Sequence, residues 1–271
     1  MFYTKDFSVA SNYRIVTCAD ANFFFFLPVL EKNIYRKTGQ YPIIYDLGLT
    51  SKQRARLKSD VISLRPPEGY NDTIPDGAIR ANHKPDCLID FMERYDQNVL
   101  YIDADVLMID TLPVDAFGAA DVAVTPRHPR EMRSAAPFAN GRINSGVLYF
   151  ANTPEARTLL KQWRSLCSEG THTDQMALSN LLEDASLNTS FGTAQIRDMT
   201  ILKLDARIYN DIGRITGRLW HFKNAGRKIH TRRRWIIAAL TERFAPKYLA
   251  RQVEKQRERL LYTRSHQEAD F

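Results

Sequence analysis

Short apolar runs alternate with segments of helical period along the first half of the chain. YRIVTCAD (13–20) reads as a β-rich run that stops at Asp20, and Asn22 is placed to cap a helix reaching Lys37, with Pro28 kinking it or delaying its start. YPIIYDLG (41–48) is a second apolar run, ended by Gly48. SKQRARLKS (51–59) reads as a polar surface helix and VISL (61–64) as a third strand. Residues 65–80, RPPEGYNDTIPDGAIR, have the Pro, Gly and Asp content of a loop. In HKPDCLIDFMERYD (83–96), Leu88, Phe91, Met92 and Tyr95 repeat at helical spacing before the strand NVLYID (98–103). Strand, helix, strand, helix, strand, helix, strand predicts an α/β sheet that is mostly parallel. Such sheets bind ligands beyond the carboxyl ends of their strands, where Asp20 and Asp103 both fall.

Further on, DVAVTP (121–126) and INSGVLYF (143–150) read as strands, TPEARTLLKQWRSLC (153–167) and TDQMALSNLLED (173–184) as helices, and TILKLD (200–205) and RLWHF (218–222) as short strands. The tail from Thr231 holds two helical pieces separated by Pro246. Hydrophobic content of 44% supports a sizeable core in 271 residues, which excludes a disordered chain. MFYTKDFSVASNYR lacks an apolar signal core, FFFFLPVL and WIIAAL are too short to span a bilayer, and Cys18, Cys87 and Cys167 have no zinc or redox spacing. A reduced, cytoplasmic protein is the expectation. Charge divides the chain: residues 212–271 carry 15 Lys or Arg against 5 Asp or Glu, a net of +10, whereas the first 211 carry 23 against 26, a net of −3. The expected organisation is a globular unit over 1–230 and a basic helical extension over 231–271.

The chemistry begins at VLYIDADVL (99–107). In extended backbone, residues two apart share a side, so Asp103 and Asp105 converge while Ala104 turns away and is small enough for close backbone approach. Paired carboxylates repel unless a proton or cation lies between them, and an all-oxygen pair favours Mg²⁺ or Mn²⁺ with coordination positions left for phosphate oxygens. Read alone, the pair serves equally well as a turn that closes the strand.

Its company extends the reading. VLYIDADVL resembles the DxD segment of GT-A glycosyltransferases, particularly glycosyltransferase family 8. VTCADANF (16–23) resembles that family's first strand and nucleotide-binding turn, YDLGLTSKQRARL (45–57) its second strand and following segment, RINSGVLYF (142–150) its N-[AS]-G block, HTDQMALSNLL (172–182) its D-Q block, and WHFKNAGRK (220–228) its closing H-x-x-G-x-x-K segment. The blocks run in the family's order. The resemblance implies a retaining transferase of GT-A fold that uses a UDP-sugar donor and Mn²⁺ or Mg²⁺. By position, Asp103, Asp105 and His221 would hold the metal; Thr17, Asp20 and Asn22 the uridine; Lys84, with Arg80 as its alternative, the diphosphate or sugar. Asn144, Ser145 and Gly146 would contact the donor sugar, Gly146 by letting the backbone come close. Asp174 and Gln175 would lie beside the anomeric carbon. The closing segment departs from the family: Gly226 lies five residues after His221 and Lys228 seven, so Lys223, Arg227 and Lys228 share the expectation of a phosphate-binding charge.

Two readings of other classes compete. YIDADVL also resembles the DxD strand of haloacid-dehalogenase-type phosphatases, in which the first Asp attacks phosphate. That motif usually opens a chain, whereas here three strands precede it, and no downstream acidic pair completes such a site. A non-catalytic, basic membrane- or glycan-binding module is the other. In the tail, Ile236, Ile237, Leu240 and Phe244 share an arc with Trp235 alongside and Arg232, Arg233 and Arg234 at its start. That pattern suits either an anionic membrane surface, peripheral at the inner face, or a helix packed on the body. No nucleic-acid recognition motif accompanies the charge.

Overall fold

The computed structural model describes residues 12–64, 81–113, 115–127, 131, 141–169, 172–182, 192–223, 225, 226 and 228–267, with side chains described to Arg259. The expected loop over 65–80, with Arg80, lies outside the described residues, as does Arg227.

Strands β1 (Tyr13–Ala19), β2 (Ile43–Asp46), β3 (Val61–Ser63) and β4 (Asn98–Ile102) are followed by β5 (Val106–Met108), β6 (Val122–Pro126), β7 (Ile143–Phe150), β8 (Gly192–Ile196), β9 (Met199–Lys203) and β10 (Leu219–His221). One eight-stranded sheet runs β3-β2-β1-β4-β7-β6-β9-β8, and β10 pairs with β5 in a separate antiparallel ribbon. The pairings β3/β2, β2/β1, β1/β4 and β6/β9 are parallel; β4/β7, β7/β6 and β9/β8 are antiparallel. Helices α1 (Leu27–Thr38), α3 (Lys84–Tyr95), α4 (Pro154–Ser168) and α5 (Asp174–Leu181) supply most of the flanking layer, with single turns α2 (Ser51–Arg54) and α6 (Ala206–Tyr209) between strands. All eight residues of β7 are buried, as expected of a strand covered on both faces.

Local chemistry sets the helix bounds. Asn22 does not cap α1: Asp20 Oδ1 accepts from the Asn22 and Phe23 amides in an Asx turn, a 3₁₀ turn spans Phe24–Phe26, and Pro28 then stands in the first turn of α1. Gly39, at φ 76°, ends that helix in the left-handed conformation that a glycine adopts without strain. The predicted surface helix over 51–59 is one turn, opened by a Thr50–Gln53 capping box and closed at Ala55; with none of its residues buried, no packing extends it. In α3 the face of Cys87, Leu88, Phe91 and Met92 packs into the core, and Asp96 at φ 49° turns the chain into β4.

The basic tail is two helices, α7 (Ile229–Phe244), starting two residues before the expected Thr231, and α8 (Pro246–Gln267). They are fastened to the body. Trp235 is buried against Phe25 and Phe26, Glu242 pairs with Arg36 and Lys37, and Arg257 donates to Thr216 O. The expected apolar arc divides: Trp235 is buried and Ile236 half-buried against the body, whereas Ile237, Leu240 and Phe244 are 64%, 50% and 71% exposed. Among the described residues, no helix is long and apolar enough to cross a membrane.

Candidate functional site

The parallel pairing of β1 and β4 delivers the turns after both strands to one edge of the sheet. β7 runs antiparallel to β4, so its beginning reaches that same edge, and the Asp103 amide donates to Gly146 O at 2.8 Å. The β5/β10 ribbon completes the arrangement by pairing His221 with Val106 and letting the Phe222 amide donate to Asp105 O at 3.1 Å. Residues far apart in sequence thus converge through three strand registers.

The result is an open cleft whose space, solvent mouth included, is about 920 Å³. Its wall contains Asp20, Lys84, Asp103, Ala104, Asp105, Asn144, Ser145, Asp174, Gln175, His221 and Lys223 from the predicted set, together with Cys18, Phe23 and Tyr101. Thr17, Asn22, Gly146, Gly226 and Lys228 are not on that wall. Thr17 is fully buried within β1, Asn22 and Lys228 are exposed, and Gly226 lies behind Phe23, where an added Cβ would come within 2.8 Å of the ring. Gly146 has a reason of its own: a Cβ there would meet His221 Cε1 at 2.4 Å and Asp103 Oδ2 at 2.9 Å, so this glycine makes room for the imidazole and the carboxylate.

Lys84 is the electrostatic hub. Its Nζ lies 3.0 Å from Asp103 Oδ1, 2.9 Å from Asp174 Oδ2 and 3.0 Å from Ser145 Oγ, and Ser145 Oγ also donates to Asp174. Burial alone would lower the pKa of this ammonium, but Asp103 and Asp174 outweigh it and raise the value well above that of an ordinary lysine. Burial likewise pushes Asp103 up, yet Lys84, then His221, together with hydrogen bonds from Lys84 and Tyr101, bring it below the usual carboxylate range. Asp174 sits at the start of α5, where Thr173 caps the helix by accepting from the Met176 amide at 3.3 Å. The fully buried Trp163 donates Nε1–H to Asp174 O at 2.9 Å, which anchors that helix start to α4. Gln175 Oε1 accepts from the Ser145 amide at 3.4 Å. Lys223 is engaged by Glu131, a carboxylate that also meets Arg127 at 3.4 Å.

Asp103, Asp105 and His221 each offer one ligand atom, all within 4.8 Å of one another. Asp103 Oδ1 is occupied by Lys84 and by the Tyr101 hydroxyl at 2.9 Å, while Oδ2 faces His221 Nε2 at 3.7 Å; Asp105 Oδ1 lies 3.3 Å from the same nitrogen. Two carboxylates and an imidazole converging on one point fit a divalent cation, and the nitrogen shifts the preference from Mg²⁺ towards Mn²⁺. Two residues to which the sequence assigned no role touch the triad: Tyr101, inside the DxD segment, donates to Asp103, and Asn210, in no motif, has its Oδ1 2.7 Å from His221 Nδ1.

Fold and cleft together define a mixed α/β protein of GT-A type, with a mainly parallel sheet flanked by helices and an Asp-Asp-His group at its carboxyl edge. The fold is shared with the crystal structure of the galactosyltransferase LgtC in complex with donor and acceptor sugar analogues, at TM-score 0.52 and 18% identity, over 72% of this chain and 74% of that one. An active-site mutant of LgtC matches at TM-score 0.51 and 19% identity over the same shares. No family model and no curated protein matches the chain.

Proposed function

We propose that this protein is a metal-dependent, retaining glycosyltransferase that moves a sugar from a UDP-sugar to a glycan or glycolipid acceptor. The observation that carries the reading is the meeting of Asp103, Asp105 and His221 with Lys84, Asp174 and Gln175 on one cleft wall. The likeness in fold to a galactosyltransferase crystallised with donor and acceptor sugar analogues supports it.

In this reading Asp103, Asp105 and His221 hold Mn²⁺ or Mg²⁺, and the ion supplies Lewis-acid neutralisation of the departing diphosphate. Lys84 fixes the carboxylates of Asp103 and Asp174 before any ligand arrives, which makes the site a preorganised electrostatic environment with little reorganisation at the moment of reaction. Asp20 and Phe23, at the end of β1, receive the nucleoside. Asn144, Ser145 and Gln175 orient the donor sugar, and Asp174 faces the anomeric carbon as it gains oxocarbenium character. Lys223 adds charge for the phosphates in the altered closing segment.

The outer face of α7 gives the acceptor a place to come from. Ile237, Leu240 and Phe244 fall at i, i+3 and i+7 and are exposed, and Arg233, Arg234 and Arg243 are exposed on the same helix. Apolar side chains rimmed by arginines suit the surface of an anionic bilayer, so we assign the protein a peripheral position at the inner face of a membrane, with residues 231–264 in contact and residues 1–230 as the catalytic unit.

A thermal-shift panel of nucleotide sugars with Mn²⁺ tests the function. UDP-sugars should raise the melting temperature by several degrees, and release of UDP should follow when a matching acceptor is added. Stabilisation by none of the UDP-sugars, combined with hydrolysis of simple phosphomonoesters, would move the protein to the phosphatase class.

A further inference from the structure

His221 has two ring nitrogens, and only one can face the carboxylates. Its Nδ1 lies 2.7 Å from Asn210 Oδ1, inside the protein, and its Nε2 lies towards Asp103 and Asp105. Which nitrogen carries the proton decides whether Nε2 presents a lone pair or an N–H to that site. The surroundings of Asn210 decide it.

Asn210 follows the single turn α6 and is 1% exposed. Its Nδ2 lies 2.8 Å from Thr125 Oγ1. Thr125 is itself fully buried at the point where the β6/β7 ladder slips register, and its hydroxyl donates to Asn144 O at 3.2 Å. A hydroxyl has one proton; with that proton committed to a carbonyl, Thr125 Oγ1 meets Asn210 only as an acceptor. The amide group facing it is therefore NH₂, and the carboxamide oxygen is turned to His221. That oxygen can only accept, so the proton of the neutral imidazole sits on Nδ1 and the lone pair on Nε2.

The backbone locks this arrangement. The adjacent Asp211 accepts from the amides of Arg214, Ile215, Thr216 and Gly217 at 2.8–3.0 Å, and its own carbonyl accepts from the His221 amide at 3.1 Å. The loop from Asn210 to His221 is thus a closed frame that fixes donor and acceptor relative to each other.

We propose that Asn210, oriented by Thr125, is a positioning residue that holds His221 in the Nδ1–H tautomer and so presents Nε2 as a ligand atom beside Asp103 and Asp105. The inference rests on the reading of those three residues as a cation site, and it deepens that reading by naming the partners behind the imidazole. Such outer partners fix ring orientation and raise ligand basicity.

Two readouts test it separately. The first is ¹⁵N–¹H correlation NMR of the metal-free protein above roughly pH 8.5, beyond the imidazole range, with His221→Ala to assign the signal. The wild type should show Nδ1–H for His221; Nε2–H would overturn the proposal. Thr125→Val frees the amide to turn over and should shift His221 towards Nε2–H, and an unmoved tautomer would count against the relay. The second is Mn²⁺ affinity, followed by the electron paramagnetic resonance signal of the free ion. Asn210→Ala should weaken binding about 10–100-fold, whereas Asn210→Asp, which keeps an acceptor towards Nδ1, should restore most of it. Equal affinity of wild type and Asn210→Ala would overturn the proposal. A wild type that binds no Mn²⁺ would sink the cation site itself, and the tautomer measurement would still decide the relay.

Discussion

The cleft and the outer face of α7 both concentrate charge, and they handle it in opposite ways. In the cleft Lys84 is 5% exposed and satisfied by three residues, Asp103, Asp174 and Ser145. On α7, Arg233 and Arg234 are exposed, while Arg232, one residue earlier, turns inward to donate to Gly226 O at 2.7 Å. A cation fixed among buried carboxylates makes a field that points at a ligand. A cation in water is screened within about 8–10 Å and acts only on a partner that comes to the surface. The same residue types therefore suit a ligand cleft in one region and contact with a surface partner in the other, and burial makes the difference.

The comparison breaks most visibly at its hub. Lys84→Met leaves Asp103 and Asp174 facing each other without a cation, and should cost about 3–5 kcal/mol of stability in urea denaturation. Because the folded-state pKa of Lys84 is raised, its contribution is complete below the unfolded value of about 10.4 and fades only as pH rises through the folded one. The gap between wild type and Lys84→Met should accordingly hold constant from neutral pH to about 10.

A smaller effect belongs to Glu131. Burial pushes its carboxyl up, but Lys223, Arg127 and Asn144 bring it below the ordinary range. A lowered carboxyl stabilises above its unfolded value, about 4.3, and loses that contribution as pH falls through the folded one. Glu131→Gln should cost about 1.5–3 kcal/mol at neutral pH and much less near pH 3, measured by denaturation at both.

On the outer face the expected stability change is the smallest. Leu240→Ser with Phe244→Ser should alter stability by less than about 0.5 kcal/mol per site, yet reduce sedimentation with anionic liposomes several-fold while leaving nucleotide binding intact. Unchanged liposome binding would remove the membrane assignment.

Much of the fold was legible because the central strands are continuous apolar runs and their helices carry a clear period. What escaped is what tertiary context decides. β8 (GTAQI) is an edge strand with three of its five residues exposed and little apolar content, and β5 (VLM) is three residues that acquire strand character only by pairing with β10. The Asn22 cap failed because Asp20 claims the turn first. In the site the Asp103/Asp105 pair was legible as a motif, but its backbone was not: β4 ends at Ile102, the Val106 amide donates to Asp103 O at 3.1 Å in a turn rather than an extended strand, and Ala104 lines the cleft instead of turning away. No local rule connects Lys84 to Asp174, ninety residues away. Asn210 lies in YND, which reads as an ordinary turn; its meaning appears only when Thr125 and His221 are brought beside it. Gly146 was read as a place for a ligand to approach, and in the structure it is His221 that approaches.

In the proposed function Asp103 and Asp105, with His221, hold a metal that in turn holds a diphosphate. Calorimetric titration of UDP into the protein, with and without Mn²⁺, tests it directly. The wild type should bind UDP only when Mn²⁺ is present, and Asp103→Asn should lose that dependence. Equal UDP binding by the wild type without any divalent metal would contradict it.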